Sequence, residues 1–143
     1  MNLRRKNIAI TALMAAFMAS GILVTANAAS VLKIEGEVKV KKDSTTEDSE
    51  VQAEKITASG SDASITFNST ISPNDKIIVY VKNQNDNIVS TDKGRWNAVS
   101  SGTKKALEYL PNKGKKGNSF YPSFSLDNGS LSSNLTVRFS FQP

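Results

Sequence analysis

The chain has 143 residues, with 18 Lys and Arg against 13 Asp and Glu, and it contains neither His nor Cys. The absence of these two residue types excludes a Ser-His-Asp triad, a Cys nucleophile, and imidazole or thiolate ligands for zinc. A Ser/Lys pair or two carboxylates remain chemically possible, but no spacing marks a particular pair. We therefore expect a protein that is not an enzyme and that uses no cofactor and no metal.

Residues 1–28 have the pattern of a cleavable secretory signal peptide. A basic start at residues 4–6 precedes an apolar run over residues 8–24. The cleavage site predicted after this run is formed by small residues, Ala26, Ala28 and Ala29. We expect a secreted, extracellular protein whose exported part, residues 29–143, is a single domain.

The alternative for this segment is an uncleaved membrane anchor. The 19 residues from Ile8 to Ala26 approach the ~20 that span a bilayer, but polar residues dilute the run and favour cleavage. Because the leader holds three basic residues and no acidic ones, residues 29–143 carry a net charge of only +2. So small a net charge gives no reason to expect nucleic acid as a partner.

The first strand signal covers residues 31–41, where apolar and charged side chains alternate with period two. Gly36 interrupts the apolar row and predicts a bulge. The acidic stretch 43–50 predicts a loop. A weak strand over 51–58 and a second one over 63–67 flank a Gly-Ser-Asp turn, which predicts a hairpin.

The middle of the chain predicts a turn, a buried strand and a second turn. Residues 72–75, Ser-Pro-Asn-Asp, are typical of a turn. The five consecutive apolar residues within 76–82 predict a central strand that is covered on both faces. The oxygen-rich stretch 83–87 lacks the Gly and the Glu of a calcium loop, so a turn built from Asx side chains is favoured. Residues 88–91 then predict another strand.

The last third of the chain is harder to interpret, except for its final residues. Residues 104–110 fit either a short helix or a strand, and the surrounding strands favour the strand. Alternating residues 120–126 and 135–141 flank Asp-Asn-Gly, which is a strong hairpin signal. In total, seven or eight short strands predict a small antiparallel β-sandwich or a partly open barrel.

Two covalent attachments can be judged from the sequence. Residues 110–114, Leu-Pro-Asn-Lys-Gly, resemble a sortase substrate, but Lys replaces the Thr and no apolar segment with a basic tail follows. The absence of Cys excludes a lipid-modified N-terminal cysteine. We therefore expect release from the cell or loose association with its surface.

The best candidate for a functional site is the basic segment 93–116, in which cations alternate with two aromatic residues. Such a mixture can bind anionic polymers or lipid headgroups. The candidate residues are Lys93, Arg95, Trp96, Lys104, Lys105, Tyr109, Lys113, Lys115 and Lys116. The competing interpretation is that the lysines are solvated in loops and that Trp96 anchors the core.

Two functions follow from this segment. The first is a non-enzymatic binding role at the cell surface, with an anionic wall polymer or a membrane surface as partner. The alternative is a bacteriocin-like or membrane-active antagonistic protein, because the composition resembles that of some small exported β-proteins and the amphipathic strands could enter a bilayer. Growth inhibition and vesicle leakage would distinguish these two functions.

Overall fold

The computed structural model describes residues 33–42, 47–49 and 51–143. In these residues the chain forms nine strands and no helix, which confirms the predicted all-β class. The predicted signal peptide, with its predicted cleavage residues Ala26, Ala28 and Ala29, lies outside the described residues. The strands are β1 (Ile34–Lys41), β2 (Glu47–Asp48), β3 (Ala53–Glu54), β4 (Ala63–Phe67), β5 (Ile71–Asn83), β6 (Arg95–Val99), β7 (Lys104–Leu107), β8 (Ser119–Leu126) and β9 (Asn134–Gln142).

The strands form two antiparallel sheets that face each other as a sandwich, as predicted. Sheet 1 has the order β1-β9-β4-β7, and sheet 2 has the order β2-β8-β5-β6, with β3 also paired to β8. Aromatic side chains from the two sheets meet in the core. The ring centres of Phe124 and Phe139 lie 4.7 Å apart, and those of Phe67 and Trp96 lie 5.8 Å apart, edge to face.

On one side of the sandwich, main-chain hydrogen bonds connect sheet 1 to sheet 2. This connection makes the sandwich resemble a partly open barrel. The extended segment 88–91 lies between β5 and the residues that follow β7. The amide of Val89 donates to the carbonyl of Val81 at 2.8 Å, and the amide of Leu110 donates to the carbonyl of Val89 at 2.8 Å. The predicted strand at 88–91 is therefore present only as isolated bridges.

Both predicted hairpins are wrong, although the strands that flank them exist. β3 pairs with β8 in sheet 2, whereas β4 lies in sheet 1. Likewise, β8 and β9 flank the Asn-Gly turn but belong to opposite sheets. In each case the turn sends the chain across the sandwich, because both strands have an apolar face that must be buried against the other sheet.

Two smaller predictions are also wrong. The Ser-Pro-Asn-Asp stretch 72–75 lies inside β5, where the register with β6 shifts between Ile71 and Lys76, so it forms an irregular bend within a strand rather than a turn between strands. Gly36 keeps a regular register with Phe139 and makes no bulge. A Cβ on Gly36 would lie 3.2 Å from the Phe139 ring, so its missing side chain makes room for that ring.

Other details are confirmed. β5 lies inside sheet 2 between β8 and β6, as expected for a central strand. Residues 104–107 form a strand, not a helix. The side chain of Asn83 accepts hydrogen bonds from the amides of Asn85 and Asn87 at 3.0 and 3.1 Å, which is the expected turn built on an Asx side chain.

Candidate functional site

The fold divides the predicted basic segment into three groups. Lys93 lies in the turn before β6 and Arg95 is the first residue of that strand, whereas Lys104 and Lys105 lie at the start of β7. The remaining three cations belong to residues 110–118, which connect the end of β7 to β8 and are called the lysine loop below. Its basic residues are Lys113, Lys115 and Lys116.

The three cations of the lysine loop are exposed and lie in a stretch without any carboxylate. Within the described residues their side chains form no ion pair. The loop is nevertheless ordered by its own turns. The amide of Lys113 donates to the carbonyl of Leu110 at 3.1 Å, and positive φ angles at Asn112 (63°) and Gly117 (87°) set its direction.

A second loop, residues 55–61, is connected to the lysine loop by hydrogen bonds. The amide of Gly60 donates to the carbonyl of Gly114 at 2.9 Å, and the amide of Gly117 donates to the carbonyl of Lys55 at 2.8 Å. The amide of Lys116 donates to the hydroxyl of Ser59 at 3.0 Å. These bonds hold the backbone that carries the three lysines in one arrangement.

Lys55 is a buried cation under this junction, and the sequence analysis did not identify it. Its side chain is 0% exposed. The ammonium donates to Thr57 Oγ1 at 2.7 Å, to the carbonyl of Ser61 at 2.8 Å and to Ser61 Oγ at 3.1 Å. Burial lowers the pKa of Lys55, and the nearby carboxylate of Asp62 acts in the opposite direction. The inward row Val51, Ala53, Lys55 was the signal that could have revealed it.

Tyr109 belongs to the core and does not present its ring to a ligand. The ring is 7% exposed and its centre lies 5.1 Å from that of Phe120. The backbone of Gly114 crosses it so closely that a Cβ there would lie 2.5 Å from a ring carbon. Burial raises the pKa of the Tyr109 hydroxyl, and Asp62 raises that pKa further. Tyr109 therefore supports the lysine loop from inside.

Trp96, Arg95 and Lys93 are engaged within the protein. Trp96 is half-buried and packs on the core next to Phe67. Arg95 donates to the hydroxyl of Tyr80 at 3.1 Å and to the carbonyl of Asp92 at 3.1 Å. Lys93 forms an exposed ion pair of 2.6 Å with Glu108, which raises the pKa of Lys93. These side chains are thus less available to a ligand than those of the lysine loop.

Lys104 and Lys105 do not share one surface. Lys104 pairs with Thr66 and Lys105 with Ile65 in the register of β7 with β4, so their side chains leave opposite faces of sheet 1. From Lys104 to Leu110 the extended chain covers roughly 20 Å at ~3.3 Å per residue. The basic segment is therefore not one continuous patch.

Within the described residues, no group of three acidic side chains is placed to hold a metal ion. In the same part of the chain, no helix is long and apolar enough to cross a bilayer. No protein-family model, no curated protein sequence and no solved structure matches this chain. A function must therefore be inferred from the surface itself.

Proposed function

We propose that this is a small exported β-sandwich protein without enzymatic activity, which binds an anionic polymer of a cell surface through the lysine loop. The observation that carries the proposal is a fixed loop with three exposed cations and no carboxylate. Its backbone is held by the 55–61 loop, so little conformational freedom is lost when a ligand binds.

A polymer with phosphate or carboxylate groups fits this surface better than a lipid bilayer. Binding in a membrane interface usually includes aromatic side chains at the headgroup level. Here Tyr109 is buried and Trp96 is half-buried against the core, so neither is placed to enter a bilayer. The attraction that remains is electrostatic, on the order of 1 kcal/mol for each lysine near an anionic surface.

The first experiment measures binding to immobilised poly(glycerol phosphate) over a salt series. Since exposed charges act over only ~8 Å at physiological ionic strength, the affinity should fall steeply as salt is raised. Changing Lys113, Lys115 and Lys116 to Gln should weaken binding at low salt by roughly a hundredfold, about 1 kcal/mol per residue. The fold should survive, because exposed substitutions alter stability by about 0.5 kcal/mol or less.

The matched control changes three other exposed lysines, Lys33, Lys76 and Lys104, to Gln. It removes the same charge from the whole protein and should keep most of the affinity. Equal loss in both triple variants would show a response to net charge only, and an unchanged lysine-loop variant would show that the loop is not the site. Binding to anionic vesicles with dye release, in place of the polymer, would instead support the membrane-active alternative.

A further inference from the structure

A cleft at the end of sheet 2 lies apart from the lysine loop. Its described walls are residues 73–76 of β5, Asn97 of β6 and the turn 127–130 after β8. Its volume is about 150 Å³, which equals roughly five water molecules at ~30 Å³ each, so it can hold one sugar ring or a molecule of similar size. None of these walls belongs to the lysine loop, so a ligand bound here does not depend on the proposed function.

The cleft is produced by a large bulge in β5. Ile71 pairs with Val99, and Lys76 pairs with Asn97. Between these two pairs, β5 has four residues and β6 has only Ala98. Ala98 has a φ of 52°, in the left-handed region that residues other than glycine rarely adopt. Bulges and strained backbone are concentrated at functional sites, where they change the direction of side chains, so this irregularity points to a ligand.

The walls of the cleft are held together by hydrogen bonds between the bulge and the turn. The amide of Lys76 donates to Ser130 Oγ at 2.9 Å, and the amide of Leu131 donates to the carbonyl of Asn74 at 3.1 Å. The amide of Asp127 donates to the carbonyl of Lys76 at 2.9 Å. The cleft is therefore formed before a ligand arrives, which lowers the entropic cost of binding.

Three polar side chains form one row along the cleft. Asn97 pairs with Lys76, and Asp127 follows Leu126 in the register of β8 with β5, so it lies on the other side of Lys76. Neighbouring strands are ~4.8 Å apart. Although Lys76 and Asp127 are neighbours, they form no ion pair within the described residues, and the side chain of Asn97 has no hydrogen-bond partner there. The row thus presents an amide, an ammonium and a carboxylate to a ligand.

The charges of the cleft indicate the class of ligand. Lys76 repels a metal ion, whereas Asp127 and the buried carboxylate of Asp75 repel an anion. An uncharged ligand with several hydroxyls suits this row, because each hydroxyl both donates and accepts a hydrogen bond. We propose that the cleft binds one residue of a neutral glycan, whose neighbouring hydroxyls bond to Asn97 and Asp127.

The outer face of sheet 2 beside the cleft suits the rest of a glycan chain. Ile78 and Tyr80 follow Lys76 at alternate positions of β5, so all three share that face. Arg95 donates to the hydroxyl of Tyr80 at 3.1 Å and thereby holds the half-buried ring. Tyr80 lies roughly 13 Å from Lys76 at ~3.3 Å per residue, and the CH groups of a sugar can pack on the face of its ring. The apolar run of β5 thus supplies a core face and an outer binding face.

The test is an NMR titration of the ¹⁵N-labelled protein with four neutral tetrasaccharides. The probes are cellotetraose, N-acetylated chitotetraose, mannotetraose and β-1,4-galactotetraose. At least one should shift the amides of residues 73–78, 95–98 and 127–130 in a saturable way, with a Kd of about 1 mM or tighter. No shift with any of the four at about 10 mM, roughly tenfold above that Kd, or shifts centred elsewhere, would overturn the proposal.

Two variants test the hydrogen bonds to the sugar. Asn97→Ala and Asp127→Asn should each weaken binding by about tenfold, because a hydrogen bond to the ligand is lost. Asp127→Asn keeps the side-chain oxygen that accepts from the amide of Gly129 at 2.9 Å, so the turn should survive. Asn134→Ala and Asp62→Asn are matched exposed controls and should bind like the parent. Parental affinity in both cleft variants would contradict the proposed contacts.

A second pair of variants tests the outer face. Tyr80→Phe keeps the ring and should bind the tetrasaccharide like the parent, whereas Tyr80→Ala should bind it more weakly and leave binding of the corresponding monosaccharide unchanged. Thermal melts show whether both variants fold. Equal binding of the tetrasaccharide by Tyr80→Phe and Tyr80→Ala would exclude the ring from the site. Binding of poly(glycerol phosphate) should be the same in Asn97→Ala and the parent, which separates this cleft from the lysine loop.

Discussion

The ammonium nitrogen of Lys55 lies 4.9 Å from the centre of the Tyr109 ring, inside the protein and beneath the lysine loop. Oxygen atoms of Thr57 and Ser61 accept all three of its hydrogens. A cation over an aromatic face is stabilised by the negative face of the ring. Through its main chain and side chain, this one residue connects the 55–61 loop, the lysine loop and the core.

Lys55→Met should lower the free energy of unfolding by about 1–3 kcal/mol, since charge-assisted hydrogen bonds are lost from a buried site. The effect should also depend on pH. Because the pKa of Lys55 is lowered in the folded protein, the unfolded chain binds more protons at alkaline pH, and the contribution of Lys55 to stability rises with pH up to ~10.4. The stability difference between the parent and Lys55→Met should therefore grow as the pH rises towards that value. Denaturant melts at several pH values measure it, with Lys33→Met as an exposed control.

Gly114→Ala should disturb the lysine loop directly. The added Cβ would lie 2.5 Å from a carbon of the Tyr109 ring, so either the ring or the loop must move, at a cost of roughly 1–3 kcal/mol. Gly129→Ala is the matched control, because its Cβ would meet only the end of the Asp127 side chain at 3.1 Å. Of these two variants, only Gly114→Ala should have a lower melting temperature and a lower affinity for the anionic polymer than the parent. Equal melting temperatures for the two variants would contradict the described packing of Tyr109.

Trp96→Ala should destabilise the fold by about 3 kcal/mol, near the lower end of the range for large aromatic residues, because the ring is only half-buried. Trp96→Phe should retain much of the contact with Phe67 and melt close to the parent. Neither variant should change the affinity for an anionic polymer at a temperature where it is folded. A normal melt together with lost binding would place Trp96 in the contact surface instead.

Asp75→Asn should make the protein less sensitive to acid. The Asp75 carboxylate is 4% exposed and accepts the amide and the hydroxyl of Ser132 at 2.9 and 2.7 Å. The hydrogen bonds from Ser132 lower the pKa of Asp75. The folded chain thus binds fewer protons than the unfolded one, and this stabilisation is complete above pH ~3.9 and is lost as the pH falls further.

The variant should be less stable than the parent at pH 7, by on the order of 1–2 kcal/mol. The difference in stability between the two should then shrink as the pH falls below ~3.9. Urea melts at pH 7, 4, 3 and 2 measure this, and Asp62→Asn serves as the control with an exposed carboxylate. An equal stability difference at every pH would show that Asp75 does not contribute to the loss of stability in acid.

The sequence predicted the strands far better than their partners. Alternation over β1 and β9 is a local property, since it needs only one buried face, and both strands follow it. Pairing depends on distant residues. The Asn-Gly turn is compatible with a hairpin. However, the aromatic faces of β8 and β9 are both buried only when the two strands lie in opposite sheets and their side chains pack across the core, as Phe124 and Phe139 do.

For the candidate site too, the sequence predicted the local features but not the contacts between distant residues. The count of cations within 93–116 could be taken from the sequence, but their grouping could not. Lys104 and Lys105 are adjacent in the chain and point to opposite faces because they lie on a strand. Lys55 lies more than fifty residues before Tyr109 and Gly114 in the sequence. No local sequence pattern therefore reveals that these residues meet beneath the lysine loop.

The strand order of sheet 1 has a consequence for how the chain reaches its native state. β9 is the last strand in sequence, yet it lies between β1 and β4 and forms the ladder of each. Until residues 134–142 are available, β1 lacks its partner in sheet 1, and β4 can pair only with β7, so the sheet is incomplete. Pairings over such long sequence separations are slow to form. Sheet 1, and with it the closed core, is therefore expected to be completed only once synthesis has reached the final strand.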